Sequence, residues 1–300
     1  MTERPDRTII LAFTAVVLLA GSNIVAVRLS NRELDPFWGA GIRFVGASAI
    51  LWGLVLRGRS TLPRGRALAG AVTYGVLSFL IAYAFFYWGS LEVPAGLGGT
   101  IMASVPLLTV GLAAAHRLEP IRPRAVAGAV VAMSGIAVMS AGALSGDVSI
   151  LSVLAIVVAA TAAAESGVVL KLLPSAHPVV TNAIGMSVGA VSLLALSAIA
   201  GESWTAPETP GVWIGLAYLV VASPLLFMLF VFVVRRWTVT GASYQFVLFP
   251  IVSVIGGALV LGEDITAAIL LGAPLVLLGV YVGALSGRRV DASIAEPAGP

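Results

Sequence analysis

The chain consists of long apolar runs separated by short stretches that hold most of the charged and turn residues. Each run is close to the ~20 residues that a helix needs to cross the hydrocarbon core of a bilayer. We predict ten membrane-spanning helices, at residues 8–27, 36–56, 67–88, 94–115, 124–143, 149–170, 178–199, 211–234, 241–261 and 267–286. The pattern therefore predicts an all-α integral membrane protein.

Composition agrees with this prediction. Hydrophobic residues make up 59% of the 300 positions and charged residues only 10%, whereas soluble proteins carry about 25% charge. Cysteine is absent, which excludes disulfides and thiolate metal sites. We expect no cofactor, no metal and no nucleic-acid partner. The only partners expected are the lipid bilayer and a small molecule.

The distribution of positive charge predicts the orientation. Lys and Arg concentrate in alternate connections, and the positive-inside rule places those connections in the cytoplasm. Both termini then lie in the cytoplasm, which requires an even number of helices. The first apolar run follows Arg4 and Arg7 as a signal peptide would, but it is too long for one, so we expect an uncleaved spanning helix.

Part of the chain is repeated. Four residues recur at a constant offset of 144: Pro106, Glu119, Gly128 and Gly135 correspond to Pro250, Glu263, Gly272 and Gly279. We expect repeats at 1–147 and 148–288, with a short cytoplasmic tail at 289–300. Each repeat has five helices, so the second enters the bilayer from the opposite side. Inverted repeats of this kind are typical of secondary transporters.

Short motifs add a family resemblance. They are Gly21–Arg28 in the first helix, Ile42-Arg43-Phe44 in the second, Ala103–Leu107 in the fourth, and the turns Leu118-Glu119 and Gly262-Glu263. In this order they resemble the drug/metabolite transporter superfamily, and within it the ten-helix EamA-type exporters. Bacterial aromatic amino-acid exporters are the most similar branch. Leu118 departs from the Gly-Glu turn that is usual in the family. The resemblance implies a carrier in the bacterial inner membrane.

Two prolines mark candidate cavity helices. Pro106 and Pro250 occupy equivalent helices, and each frees a backbone carbonyl about one turn upstream, at Met102 and Phe246. Interrupted helices of this kind line substrate sites in transporters, so we expect both prolines to act in gating. The nearby polar candidates are Thr100, Ser104, Tyr244 and Gln245. The alternative is that both prolines are ordinary kinks.

The third helix is rich in aromatic residues. Phe79, Tyr83 and Phe86 share one face, which is suited to stacking on an aromatic or large apolar substrate. The alternative is that these side chains face lipid or belong to the core. Tyr83 is the strongest candidate for the cavity wall.

The first helix of each repeat supplies two more candidates, Asn23 and Glu165, which the resemblance places along the cavity. Charges inside a membrane are costly and often functional. Glu165 is the one acid well within a predicted span, so it is suited to proton exchange or to binding an amino group. Alternatively it faces the cytoplasmic mouth near Lys171. His116 and His177 are expected to be merely solvated.

Arg43 lies about 10 Å into the second helix. We expect a structural or gating role for it, with outward snorkelling or the binding of a carboxylate as alternatives. Asn182, and Ser223 beside Pro224, are weaker cavity candidates.

Together these features predict an inner-membrane exporter of small organic solutes, most of all amino acids with aromatic or bulky apolar side chains, working by alternating access. A phosphorylated-sugar carrier is disfavoured because too few cations are available to the cavity. A membrane-embedded enzyme is disfavoured because no catalytic motif is present. The small-residue pattern Gly279–Gly283 fits either a monomer or a weak homodimer.

Overall fold

The computed structural model describes residues 5–93, 95–139, 149–174, 176–262 and 264–285, and every regular element in these ranges is helical. The helices are α1 (Arg7–Ser30), α2 (Pro36–Arg57), α3 (Arg66–Gly89), α4a (Ala95–Met102), α4b (Val105–Ala115), α5 (Pro123–Met139), α6 (Ile150–Leu172), α7 (Pro178–Ala200), α8 (Pro210–Arg236), α9a (Val239–Ser243), α9b (Gln245–Leu261) and α10 (Ala267–Leu285).

Every one of the ten predicted spans contains a described helix, which confirms the all-helical prediction. Within the described ranges, nine helical segments are long and apolar enough to cross a membrane, and α5 is a shorter apolar helix. Residues 140–143, Glu263 and the tail at 289–300 lie outside the described residues.

Local sequence explains where the helices begin and end. The carboxylate of Asp6 accepts a hydrogen bond from the Ile9 N–H at the start of α1, and the Thr238 hydroxyl accepts one from the Gly241 N–H in α9a. Proline opens α2, α5, α7 and α8, where its missing N–H costs nothing. Gly201 and Gly262 end α7 and α9b in the left-handed conformation, which glycine adopts readily.

Two helix pairs pack antiparallel through small residues. In the pair α2–α7, Gly41 lies against Leu194 and the Trp52 indole donates to the Ser187 hydroxyl at 3.0 Å. In the pair α5–α10, the backbone of Gly128 meets Gly279 and Gly283, and that of Gly135 meets Gly272. A Cβ added at Gly128 would lie 2.5 Å from the Gly283 Cα, so this approach requires glycine.

The first helix of each part of the chain packs on the other part. Helix α1 contacts α8 and α9b, with Gly21 directly against Val252. Helix α6 contacts α3 and α4b, and Gly89 lies against Ile156. Residues 5–139, the N-terminal part, and 149–285, the C-terminal part, are therefore interlocked rather than side by side.

Helix interruptions fall only partly where the prolines predict them. The fourth span breaks at Ala103–Ser104, just before Pro106, as expected. In the ninth span, however, the break is at Tyr244, and Pro250 lies inside the continuous α9b. The predicted break at Pro250 is therefore wrong in position, because a proline bends a helix without having to end it.

Two π-helical turns in the described part of the chain were not predicted. One is Val76–Ile81, within α3, and the other is Tyr281–Leu285, at the end of α10. Turns of this kind re-aim side chains within a span and often lie at functional sites. The turn in α3 contains Phe79.

Candidate functional site

Arg43 of α2 is buried inside the bundle, with only 2% of its surface exposed. Its Nε donates a hydrogen bond to the Ser223 hydroxyl of α8 at 2.8 Å. The centre of its guanidinium lies 5.1 Å from the centre of the Phe44 ring and 5.9 Å from that of Tyr83. Among the described residues, no carboxylate forms an ion pair with Arg43. A full positive charge is thus enclosed between the N-terminal and C-terminal parts, and no acid in the described ranges balances it.

Aromatic rings continue from this charge into the bundle; we call Phe44, Phe79, Tyr83, Tyr87 and Phe227 the aromatic cluster. The Phe44 ring lies 5.1 Å from both Phe79 and Tyr83, and the Phe79 ring lies 4.6 Å from Phe227 of α8. Tyr83 and Tyr87 are 6.0 Å apart. The cluster therefore spans both parts of the chain, with Arg43 at its edge.

The predicted aromatic face of α3 divides into two environments. Phe79 is fully buried and fills a notch in α7 formed by Gly185 and Gly189. Tyr83 is only partly buried and lies beside Arg43. The centre of the Phe86 ring lies 6.4 Å from that of the Tyr87 ring. Phe79 thus packs as a core residue here, and a place for Tyr83 on the cavity wall stays a prediction.

One end of the bundle, which we call the Trp38 end, is closed by hydrogen bonds between the two parts. The Glu202 carboxylate accepts from the N–H groups of Phe37 at 3.0 Å and Trp38 at 2.7 Å, which caps the first turn of α2. The Trp38 indole stacks on Trp204 with ring centres 5.0 Å apart and planes within 9°. In return, the Asp35 carboxylate of the N-terminal part accepts from the Ser203 N–H of the C-terminal part at 2.7 Å.

A second carboxylate tightens the same end. Glu33 accepts from the Thr209 hydroxyl at 2.5 Å, and from the N–H groups of Glu208 at 2.7 Å and Thr209 at 3.2 Å. Thr209 is the residue just before α8. The hydrogen bond from the Thr209 hydroxyl is the main cause that lowers the pKa of Glu33 below its ordinary 4.5.

The opposite end, which we call the Glu119 end, is held by a different set of contacts. The Glu119 carboxylate accepts from the N–H groups of Val239 and Thr240 at the start of α9a. Lys171 donates to the carbonyls of Val234, Arg235 and Trp237, and so caps the last turn of α8. Glu119 joins the two parts of the chain, whereas Lys171 acts within the C-terminal part.

Glu165 lies near the same end, about 10 Å from the end of α6. Its Oε1 is 2.9 Å from His116 Nε2, while its Oε2 is buried with no partner among the described residues. His116 directly follows α4b, so this contact also links the two parts. The prediction that His116 is merely solvated is wrong, because an imidazole that ends one helix meets an acid on another.

Two further candidates direct their hydroxyl groups to backbone. Tyr244 is fully buried and donates to the Ala125 carbonyl of α5. Ser104 donates to the Ile101 carbonyl at 2.6 Å, at the break between α4a and α4b. Both hydroxyls satisfy peptide groups near interruptions, which is a structural use of candidates predicted for the cavity. Their contact with substrate stays a prediction.

The remaining candidates are buried to different extents. Asn23 is 5% exposed, and neither its amide oxygen nor its nitrogen has a partner within the described ranges. Gln245 is 2% exposed, Thr100 is partly buried, and Pro106 is buried. An unpaired buried amide is costly, so Asn23 is the most notable of these for ligand binding.

The contact of Ser223 with Arg43 could not be predicted from the sequence. The signal was a polar Ser directly before Pro224 in an apolar run, but only the structure places it on Arg43. No sequence pattern singled out the carboxylates Glu33 and Glu202. Their roles depend on contacts between residues about 165 to 175 positions apart, which no local pattern shows.

Comparison with known proteins identifies the family. The EamA-like transporter family matches residues 7–141 and again residues 150–284. The chain is 25% identical to the "Uncharacterized inner membrane transporter YedA" of Escherichia coli, over 90% of this chain and 91% of the relative. It is 25% identical to the "Probable amino-acid metabolite efflux pump" of Salmonella typhimurium, over 91% of this chain and 93% of that protein.

A solved crystal structure has the same fold. It superimposes with a TM-score of 0.78 and covers 93% of this chain and 96% of its own, at 19% identity. At that identity the likeness shows the fold alone. The two family matches together cover most of the chain, which is a multi-pass membrane transporter and belongs to the EamA-like transporter family.

Proposed function

We propose that the protein is an exporter of amino acids with aromatic or bulky apolar side chains, located in a bacterial inner membrane and working by alternating access. The observation that carries the substrate class is the enclosed Arg43 guanidinium beside the aromatic cluster. Such a site offers a cation to a carboxylate and ring faces to an apolar side chain. The Salmonella relative, by its printed name, is a probable amino-acid metabolite efflux pump, which agrees with this class.

The packing supports inverted repeats at 1–147 and 148–288, with 289–300 as a tail. Gly128 and Gly279 are in contact, and their equivalents in the other repeat, at an offset of 144, are Gly272 and Gly135. These two residues are in contact as well. The helices in this contact, α5 and α10, are equivalent in the two repeats and run antiparallel. Antiparallel packing of equivalent helices is what a two-fold axis in the membrane plane produces.

The two closed ends support alternating access. Contacts of Glu33, Asp35 and Glu202 hold the Trp38 end, and contacts of Glu119 and His116 hold the Glu119 end. Release of one set while the other stays closed would open the Arg43 region to one side at a time. By the positive-inside rule, the Glu119 end and both termini are cytoplasmic.

The glycine contacts between α5 and α10 bear on the oligomeric state. Gly279 and Gly283 pack against Gly128 of the same chain. This use within one chain favours a monomer as the transporting unit, with at most a weak homodimer through another surface.

A phosphorylated-sugar carrier fits the site less well. Phosphate would need several cations near Arg43. Lys171 lies at the Glu119 end and is engaged with three carbonyls at the end of α8.

The test is counterflow in proteoliposomes. We expect vesicles loaded with unlabelled L-phenylalanine to accumulate labelled L-phenylalanine, and L-tryptophan and L-leucine to compete. Exchange of solute distinguishes a carrier from an enzyme or a receptor. Competition by sugars or organic cations, with none by amino acids, would refute the substrate class and leave the family unchanged.

A further inference from the structure

Arg43 is a charge that the described protein leaves unbalanced. Arginine stays protonated even when it is buried, and placing one inside a spanning helix is costly. Buried charges are normally paired with an acid. Here the recorded contacts are one neutral hydroxyl, from Ser223, and two ring faces, from Phe44 and Tyr83.

The hydrogen bond recorded for the Arg43 side chain within the described residues uses Nε, and its acceptor is the Ser223 hydroxyl. This bond does not occupy the two terminal nitrogens of the guanidinium. The Ser223 hydroxyl makes a second hydrogen bond, which it donates to the Leu219 carbonyl one turn back in α8. The terminal nitrogens therefore keep the planar set of donors that binds a carboxylate through two parallel hydrogen bonds.

The position suits a ligand that is exchanged during transport. Arg43 belongs to α2 and Ser223 to α8, so their bond crosses between the two parts of the chain. With 2% of Arg43 exposed, a ligand reaches it only when these parts separate. Separation removes the hydroxyl from Nε at the same moment, and an incoming carboxylate replaces that contact with a stronger, charge-assisted one.

From these observations we infer that Arg43 is the carboxylate-binding residue of the transport site, and that a free carboxylate is required of every substrate. This inference rests on the proposed export of amino acids and makes it narrower. An amino acid is accepted through its carboxylate and its apolar side chain, which lies against Tyr83. The corresponding amine or amide, which lacks the anion, is rejected.

The experiment compares ligands that differ only in the anion. Competition against labelled L-phenylalanine is measured in proteoliposomes with L-phenylalanine, 3-phenylpropionate, L-phenylalaninamide and phenethylamine. For the wild-type protein we expect the two carboxylates to compete, and the amide and the amine to be weaker by ~10-fold or more, the value of one charge-assisted interaction. Equal competition by all four would overturn the inference without any variant being made.

Variants then locate the preference. Arg43→Gln is expected to abolish the difference between acid and amide, and Arg43→Lys to keep part of it, because a lysine retains the charge but not the two-pronged donor set. Arg32→Gln removes the same charge from an exposed position near the start of α2 and is expected to leave the preference unchanged. A folded Arg43→Gln protein that still prefers the acid would overturn the assignment. If Arg43→Gln does not fold, an undiminished preference for the acid in Arg43→Lys would overturn it.

The inference and the proposed function can fail separately. If no amino acid competes or exchanges, the proposed substrate class fails. Thermal stabilisation of the detergent-solubilised wild-type and Arg43→Lys proteins by 3-phenylpropionate then decides the inference. Stabilisation of the wild type that is weaker or absent in Arg43→Lys supports carboxylate binding at Arg43, and stabilisation of neither protein, or of both equally, overturns it.

Discussion

The imidazole Nε2 of His116 lies 2.9 Å from the Glu165 carboxylate, and this contact joins the end of α4b to the interior of α6. The second oxygen of Glu165 is buried and without a partner among the described residues. The pair therefore combines a partly exposed base with an acid inside a span. That Glu165 couples transport to protons stays a prediction, because charged groups inside a membrane are costly and often functional.

We expect Glu165→Gln to remove the response of phenylalanine transport to an imposed pH gradient while exchange at equal pH continues. The amide retains the shape of the side chain but binds no proton. Uptake into proteoliposomes with and without a pH gradient measures the response. His116→Gln is the matched variant, which keeps the acid and is expected to keep a response to the gradient. An unchanged rate and pH response in Glu165→Gln would exclude this residue from coupling.

Glycine packing between α5 and α10 gives a prediction about stability. In Gly128→Ala the new Cβ would lie 2.5 Å from the Gly283 Cα, and backbone atoms cannot yield as a side-chain end can. We expect a loss of ~1–3 kcal/mol, typical of overpacking, seen as a lower midpoint of thermal unfolding in detergent.

Gly53→Ala is the control for that experiment. Gly53 lies inside α2, and a Cβ built there meets no atom within 4 Å. Alanine at an open helical position stabilises by ~0.5–1 kcal/mol, so the two variants should move the unfolding midpoint in opposite directions. A fall of equal size in both would show that the seam between α5 and α10 is not specially tight.

The contact of Glu202 with α2 predicts how the Trp38 end opens. Glu202→Ala removes both hydrogen bonds to the first turn of α2, and such caps are worth ~0.5–2 kcal/mol. We expect the Trp38 end to open more often. Because the chain has no native cysteine, a single cysteine at the buried Ala40 reports opening through its rate of labelling by a maleimide.

Labelling of the Ala40→Cys protein should be several-fold faster with Glu202→Ala than without it. Glu208→Ala removes a carboxylate from an exposed position in the same loop and should have no effect. Equal labelling rates in all three proteins would mean that Glu202 does not hold this end closed.

Glu33 predicts the pH dependence of the same end. Its pKa is lowered in the folded protein from the ordinary 4.5, chiefly by the Thr209 hydroxyl. Its stabilising effect is therefore fully present above pH 4.5 and is lost as the pH falls through the lower, folded-state value. Maleimide reacts with the thiolate, so the labelling rate of Ala40→Cys is divided by that of free cysteine at the same pH. This relative rate should accelerate below the folded-state pKa of Glu33, and Glu33→Gln should remove the acceleration. Acceleration that persists in Glu33→Gln would assign it to another group.

The spans could be predicted because length and apolar composition are local properties of a membrane helix. The finer geometry could not. Pro250 was expected to break its helix, but whether a proline ends or merely bends a helix depends on what else satisfies the freed carbonyl. The break at Tyr244 coincides with its hydrogen bond to Ala125, more than a hundred residues earlier. The contacts of His116 and Ser223 could not be predicted either, because their partners are also far away in the sequence.

The interlocked packing of α1 bears on how the protein is made. Its buried face, including Gly21 against Val252, is covered by α8 and α9b, which leave the ribosome more than 180 residues later. At ~5–20 residues per second that delay is roughly 10–40 s. During this interval α1 resides in the lipid with its eventual contact surface uncovered. Biogenesis therefore depends on the bilayer, or on an insertion factor, to shelter that surface until the C-terminal part arrives.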